Sequence, residues 1–448
     1  MKLKKVAAVS VAVTMSIGIF TGCGNSKAVD SKIVETEKAE STENNNATEK
    51  PKEAENITLK VSTWDLEANP SVKNVVKAFE EKNPNIKVDL IDIASADYTQ
   101  KLSVMLNGGS ELDAFWIKDA DTTKSLFDKG QITDLKPYIE KDGVDLEGYN
   151  GLVDNFVMPG GEIVGLPART DYYVLYYNKD IFDAARVAYP SNDMTWEEFE
   201  ETAKKITTGE GSEKKYGALI HTWQACVANW GVQDGKHTIM DTDYSFIKPY
   251  YEMVLRMQND DKTIMDYATL KTGNIHYSSP FLTGNVGMMP MGSWFMTTII
   301  SKIQAGESNI NWGVATLPHA SGVEAGYTVG SATPLVMNAA TDKKDAAWEF
   351  IKFMTGEECA KLYAEAGAIP GRSNPETLEA IANLKGMPEG VLEALEVKHI
   401  SFDRPMADKV GEIDRMMGEE HSMIMLGEAS IDEGLATMAE RSKEIQGK

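Results

Sequence analysis

Cysteine is scarce in this chain of 448 residues: there are three, Cys23, Cys226 and Cys359. They lie too far apart for a zinc motif, and no Cys-x-x-Cys occurs. With Cys23 modified, as argued below, only Cys226 and Cys359 remain to pair. Each sits among apolar neighbours, which favours two buried free thiols over a disulfide. Histidine is also sparse. His221, His237, His276, His319, His399 and His421 never recur at i, i+3 or i+4, so no helical metal motif exists and no metal is expected.

Basic charge is deficient. The formal net charge is −23, and it falls to −26 without residues 1–22, which carry Lys2, Lys4 and Lys5 and no acid. A nucleic-acid partner wants a basic face, and none is present. Such acidity keeps a chain soluble and off anionic surfaces, but it names no ligand. Enzyme signatures are missing too. There is no Gly-x-x-x-x-Gly-Lys-Ser/Thr, no Gly-x-Ser-x-Gly, no His-Glu-x-x-His and no EF-hand loop. Gly209-Glu-Gly211-Ser follows a helical stretch and precedes Lys214-Lys215, so it reads as a turn. Acids are so abundant that carboxylate pairs carry no glycosidase signal. The chain is expected not to be an enzyme and to need no cofactor.

No apolar run is long enough for a membrane span. The longest, Val6–Phe20, is about 15 residues against the roughly 20 required. It lies between MKLKK and TGCGNS, which is the layout of a secretory signal peptide over residues 1–22. Phe20-Thr21-Gly22-Cys23 resembles a bacterial lipobox. That resemblance implies cleavage before Cys23, a diacylglycerol on its thiol, and a place on the outer face of the cell membrane. Residues 23–55 are rich in Ser, Asn, Thr, Glu and Lys, with Ile33-Val34 their only aliphatic cluster. They read as a tether that cannot bury a core.

The texture changes at Ile57. At 42% hydrophobic residues the chain can bury a sizeable core, and its length suits two lobes. Ile57–Thr63 and Ile86–Ile93 alternate like strands, with a helix over Pro70–Asn83 between them. Tyr98–Leu106 reads as a helix and Asp113–Ile117 as a short buried strand. Further strands are expected at Tyr172–Asn178, Tyr216–Ile220, Val286–Pro290, Trp312–Pro318 and Pro334–Asn338. Thr195 and Glu198 spell a capping box for a helix from Trp196. Lys344–Met354 and Glu357–Glu365 read as helices, and residues 376–448 as entirely helical. This order suggests an α/β protein with a parallel sheet and helices packed on its faces.

Sites in such sheets lie beyond the carboxyl ends of strands. Those places hold Trp64 and Asp65; Trp116, Lys118 and Asp119; Arg169 and Asp171; His221, Trp223 and Trp230; and Trp294. Five of the eight tryptophans stand there, while Trp196, Trp312 and Trp348 look structural. Aromatic planes cover the CH faces of a sugar ring, and acids and amides satisfy its hydroxyls. A cleft with this lining suits a carbohydrate.

Several stretches carry a family resemblance: Val61-Ser-Thr-Trp64-Asp65, Leu126–Tyr138, Gly165-Leu-Pro167, Val174–Phe182, Met194–Phe199, Gly284–Met289, Gly292-Ser-Trp294, Trp312–Pro318, Ala346–Gly356 and Gly367–Pro370. In this order the chain resembles the extracellular solute-binding proteins of carbohydrate ABC transporters, the group of maltose-binding protein. That implies a two-lobed periplasmic-binding-protein-like fold (type II), hinge-connected, with an all-helical C-terminal segment. Lobe I would comprise residues 56–168 and 331–373, lobe II residues 169–330 and 374–448. It also implies sugar contacts at Trp116 and Asp119, Asp171, Trp294 and Trp223. Arg372 and the pair Asp403-Arg404 would face the cleft. The expected partners are a small carbohydrate and ABC permease subunits, with the protein a monomer held to the membrane by lipid. Other readings are a binding protein for a polyamine, peptide or glycerol phosphate, a hydrolase using Asp119 and Asp171, or a sensor subunit.

Overall fold

In the computed structural model, residues 56–66, 71–109, 111–118 and 122–448 are described. The signal-peptide stretch 1–22, the expected lipidation position Cys23, the stretch 23–55 and Asp119 lie outside them.

Strand β1 (Ile57–Trp64) pairs in parallel with β2 (Ile86–Ile93) and β3 (Ala114–Trp116). The helix between β1 and β2, Ser71–Lys82, buries Val72, Val75, Val76 and Phe79. That spacing of three and four puts one apolar stripe against the sheet. Phe79 meets Phe350 edge-on at 5.1 Å and Phe353 at 5.6 Å, which ties this helix to Lys344–Met354.

Two long strands join the halves. Strand β4 (Leu166–Asn178) is antiparallel to the later β8 (Tyr327–Met337) over Leu166–Tyr172. Beyond that point β4 pairs instead with β6 (Val286–Gly292) and β7 (Trp312–Thr316). Strand β5 (Tyr216–Ala218) lies parallel to β6 at the far edge. The core changes with the pairing. Ala168 on β4 and Ala332 on β8 belong to one apolar cluster with Phe79, Phe115 and Phe350. Tyr172 and Val329 belong to another, with Tyr176, Phe199 and Phe295. Two cores bridged by shared strands are the physical form of a hinge-connected, two-lobed fold, because each lobe keeps its packing while the crossings bend.

The local expectations hold in several places. Glu198 N–H donates to Thr195 Oγ1 at 3.2 Å and Thr195 N–H to Glu198 Oε2 at 2.9 Å, which closes the capping box. Cys226 and Cys359 are free and buried, one in each core. Trp196, Trp312 and Trp348 are buried.

The sheet is mixed where the strand–helix order suggests a parallel one, because β4 runs antiparallel to β6, β7 and β8, and three elements differ from their reading. Strands β4 and β8 begin earlier, at Leu166 and Tyr327, through Arg169-Thr-Asp171 and Gly330-Ser-Ala-Thr333. Mutual pairing makes these polar stretches extended, where their own side chains carry no strand pattern. The C-terminal segment is helical except for β9 (His399–Phe402), which pairs in parallel with β8. Four residues offer too short a period to separate from a helix turn, and the open edge of β8 decides. Further on, helices Val410–Leu426 and Ile431–Gln446 pack on lobe II. Among the described residues no helix is long and apolar enough to cross a membrane.

Candidate functional site: an aromatic group facing the first strand's exit

Strands β5 and β6 are parallel neighbours, with Ala218 opposite Met288, so their carboxyl ends emerge side by side. The chain leaving β5 carries His221 and Trp223. The chain leaving β6 carries Ser293 and then Trp294, which opens helix Trp294–Gln304. Between them stand His276 and Tyr277, just ahead of helix Ser278–Leu282. The result is a continuous aromatic group. His221 meets Trp223 edge-on at 4.6 Å and Tyr277 at 5.2 Å. Trp223 lies 5.7 Å from Tyr277 and 6.4 Å from Trp294. Trp294 Nε1 donates to the Tyr277 hydroxyl at 3.0 Å, and Tyr173 supports the indole edge-on at 5.7 Å. Trp223 remains 38% exposed, a large apolar plane left in water.

Lobe I contributes the exit of β1. Trp64 packs on Tyr98 at 4.9 Å, and the Arg169 guanidinium lies 5.7 Å over its ring. Asp65 has a positive φ of 49° and accepts a hydrogen bond from Ser95 N–H at 2.9 Å. Positive φ is uncommon for a residue with a side chain, and here it turns the chain sharply off the strand. Lys118 Nζ donates to the Ser95 carbonyl at 2.9 Å, so the exits of β1 and β3 are tied together. Burial holds the His276 imidazole below its usual range, and the Asp65 carboxylate opposes that shift.

Asp171 is buried between the halves. Ser293 Oγ donates to its Oδ1 at 3.0 Å, and Arg169 Nε lies 3.3 Å from its Oδ2. Burial pushes this carboxyl up, against the pull of Arg169 and Ser293. Each oxygen has a partner within the protein, which ties β4 to the turn before Trp294.

A sheet with strand-exit aromatics, two cores and shared crossing strands is a ligand trap, and the comparison with known families agrees. The profile of bacterial extracellular solute-binding proteins matches residues 63–361, more than half of the chain. The chain belongs to that family. A solved sugar transporter of Rhizobium etli, in an open conformation, is 41% identical over 86% of this chain and 99% of its own, with a TM-score of 0.76. An ABC substrate-binding protein of Listeria monocytogenes, in complex with cycloalternan, shares the fold at 23% identity, covering 88% of this chain and 100% of its own with a TM-score of 0.74. The lactose-binding protein of Rhizobium radiobacter is 25% identical over 337 residues, 71% of this chain and 75% of its own.

Within this solute-binding protein the nominated residues separate. Trp64, Asp65, Trp223 and Trp294 stand at the facing strand exits. Trp116 is instead the last residue of β3, buried against Phe350 at 6.1 Å, where its carbonyl accepts from the Tyr98 hydroxyl at 2.7 Å. Trp230 is buried in lobe II and stacks on Trp196 with centroids 4.0 Å apart. Arg372 lies 4.8 Å over the Tyr149 ring, and donates to the Asp145 carbonyl at 2.6 Å and to its Oδ2 at 3.0 Å. It is fixed to lobe I, apart from the aromatic group. Arg404 pairs with Asp414 at 3.2 Å, and Asp403 and Arg404 both act on the buried Tyr173 phenol. His276, Tyr277 and Tyr98 had no periodicity or strand-exit position to mark them. His221 was visible at a strand exit, but nothing in the sequence separated it from a core histidine. A cavity of about 690 Å³ exists elsewhere, lined by Asn178, Asp180, Ile206, Lys215, Thr283 and Ser308. It lies past the other end of β4 and contains none of the aromatic group.

Proposed function

We propose that this solute-binding protein captures a sugar or oligosaccharide between its lobes and delivers it to the membrane permease of an ABC importer. The observation that carries this is the partly exposed Trp223–Trp294–Tyr277 group, set opposite Trp64 and Asp65 at the exit of β1. Flat aromatic surface edged by uncharged imidazole and phenol suits a hydroxylated ring. The names of the Rhizobium etli and Rhizobium radiobacter relatives support the same ligand class. Trp64, Asp65, Trp223 and Trp294 are the binding residues of this reading, with Asp119, three residues after Trp116 in the chain, retained from the family resemblance. Lobes of 56–168 with 331–373 and 169–330 with 374–448 would close about the β4 and β8 crossings. Ligand touching both lobes favours the closed form by its differential affinity.

Other solutes fit less well. A polyamine wants several free acids boxed by aromatics, and Asp171 is already committed to Arg169 and Ser293. A phosphate ester wants free cations, whereas Arg169, Lys118 and Arg372 all serve partners within the protein.

A thermal-shift screen of the purified protein tests the proposal. One sugar series should raise the melting temperature without being consumed. Ligand at a hundred times its dissociation constant adds about 2.7 kcal/mol of stability. A shift with polyamines or phosphate esters alone, or with no sugar, overturns the sugar reading; consumption of the sugar makes the protein an enzyme. The anchoring proposal concerns Cys23. Cys23→Ser should move the protein from the membrane fraction to the medium, and a variant that stays with membranes would refute the lipid anchor.

A further inference from the structure

One polar atom beside the aromatic group has nothing to do. His221 is 8% exposed, and its Nδ1 is buried without a hydrogen-bond partner. Its neighbours are known and none supplies one. Tyr277 is engaged through its hydroxyl with Trp294, and His276 Nδ1 with Ser278 Oγ at 2.7 Å. Trp223 presents a ring edge at 4.6 Å. The Cys226 thiol, held up at about 12 by burial, bonds to Tyr173 and to the His221 backbone. Burial pushes the His221 imidazole down to about 4, and His276 and Lys271 add to the same shift. The ring is therefore uncharged at neutral pH.

A buried polar atom left unpaired is costly, and folded proteins retain few of them. We propose that His221 Nδ1 is the specificity-determining contact of the site, reading one hydroxyl of the captured sugar beside the Trp223 and Trp294 planes. The chemistry selects the hydroxyl. A neutral imidazole holds one donor and one acceptor, and either tautomer pairs with a group that is both. A carboxylate would suit only the donor tautomer and an ammonium only the acceptor. The indoles accept any CH face, so stacking alone would discriminate poorly between sugars. A site built to pair a hydroxyl rejects the analogue that lacks it, because its own buried atom is then stranded. This inference rests on the sugar reading and adds the atom that gives it selectivity.

The test uses the sugar that stabilises the wild-type protein, with its set of monodeoxy analogues, in titration calorimetry. Wild-type protein should bind one analogue roughly 10–100-fold more weakly than the parent, the cost of one stranded polar atom. His221→Phe should bind the parent weaker by a similar factor and lose its discrimination against that one analogue. Its ligand-free melting temperature should be no lower, since the orphaned nitrogen is gone and a ring of similar size remains. His221→Phe that binds the parent as tightly as wild type overturns the proposal. So does an equal loss toward every analogue, which would mean simple packing. Nitrogen NMR of the wild-type imidazole gives an answer that needs no variant: Nδ1 should shift on binding, and an unmoved resonance overturns the assignment. A wild-type protein that binds no sugar would instead bring down the sugar reading itself, and this inference with it.

Discussion

Truncating Trp294 to alanine should cost roughly 1–3 kcal/mol of sugar binding, the usual loss for an aromatic anchor at a site's centre. The indole is placed by three things at once. It opens helix Trp294–Gln304, it donates to the Tyr277 hydroxyl at 3.0 Å, and Tyr173 backs it at 5.7 Å. Alanine removes the plane and leaves the Tyr277 hydroxyl without its donor, so the neighbouring ring loosens as well. Trp294→Phe keeps much of the plane and loses the donor, and should fall between the two. Titration calorimetry against the stabilising sugar reads the effect. Unchanged affinity in a variant with a native melting temperature would take Trp294 out of the site.

The second large effect should appear in stability and spare binding. Trp230→Ala empties a fully buried position stacked on Trp196, and such truncations cost about 3–5 kcal/mol. The adjoining Trp196 and Tyr250 rings cannot both collapse into the void. Sugar affinity of the molecules that remain folded should match wild type. Denaturant melts and calorimetry on the same sample separate the two readouts. A loss of affinity with stability intact would return Trp230 to the ligand, where its position in the sequence first suggested it.

That contrast shows why five tryptophans at strand ends could not be ranked from the sequence. Each follows an expected strand in the chain, and nothing in its own window separates core packing from an exposed plane. Their fates depend on neighbours remote in the chain. Trp223 and Trp294 come together because β5 and β6 are parallel neighbours. Trp116 turns inward because β8, more than two hundred residues later, pairs Leu335 with it. The family resemblance implies a sugar contact at Asp171, and its short-range setting does not show how its two oxygens are used. Arg169, two residues back on the same strand, pairs with it locally, and Ser293 supplies a second partner only once β4 and β6 lie side by side.

Short windows of the chain were enough to read the local grammar: the helix stripe at Val72, Val75, Val76 and Phe79, the Thr195–Glu198 capping box, the strand–helix alternation and the family order of motifs. These depend on periods of two and 3.6 residues and on side chains reaching their own backbone, so a short window contains the whole cause. Tertiary structure alone decided the crossing lengths of β4 and β8, the strand at His399–Phe402, and which aromatic rings meet. It also left His221 Nδ1 buried without a partner. Those outcomes depend on pairing and burial between segments tens to hundreds of residues apart, where each segment's own pattern permits more than one answer and the shared core selects among them.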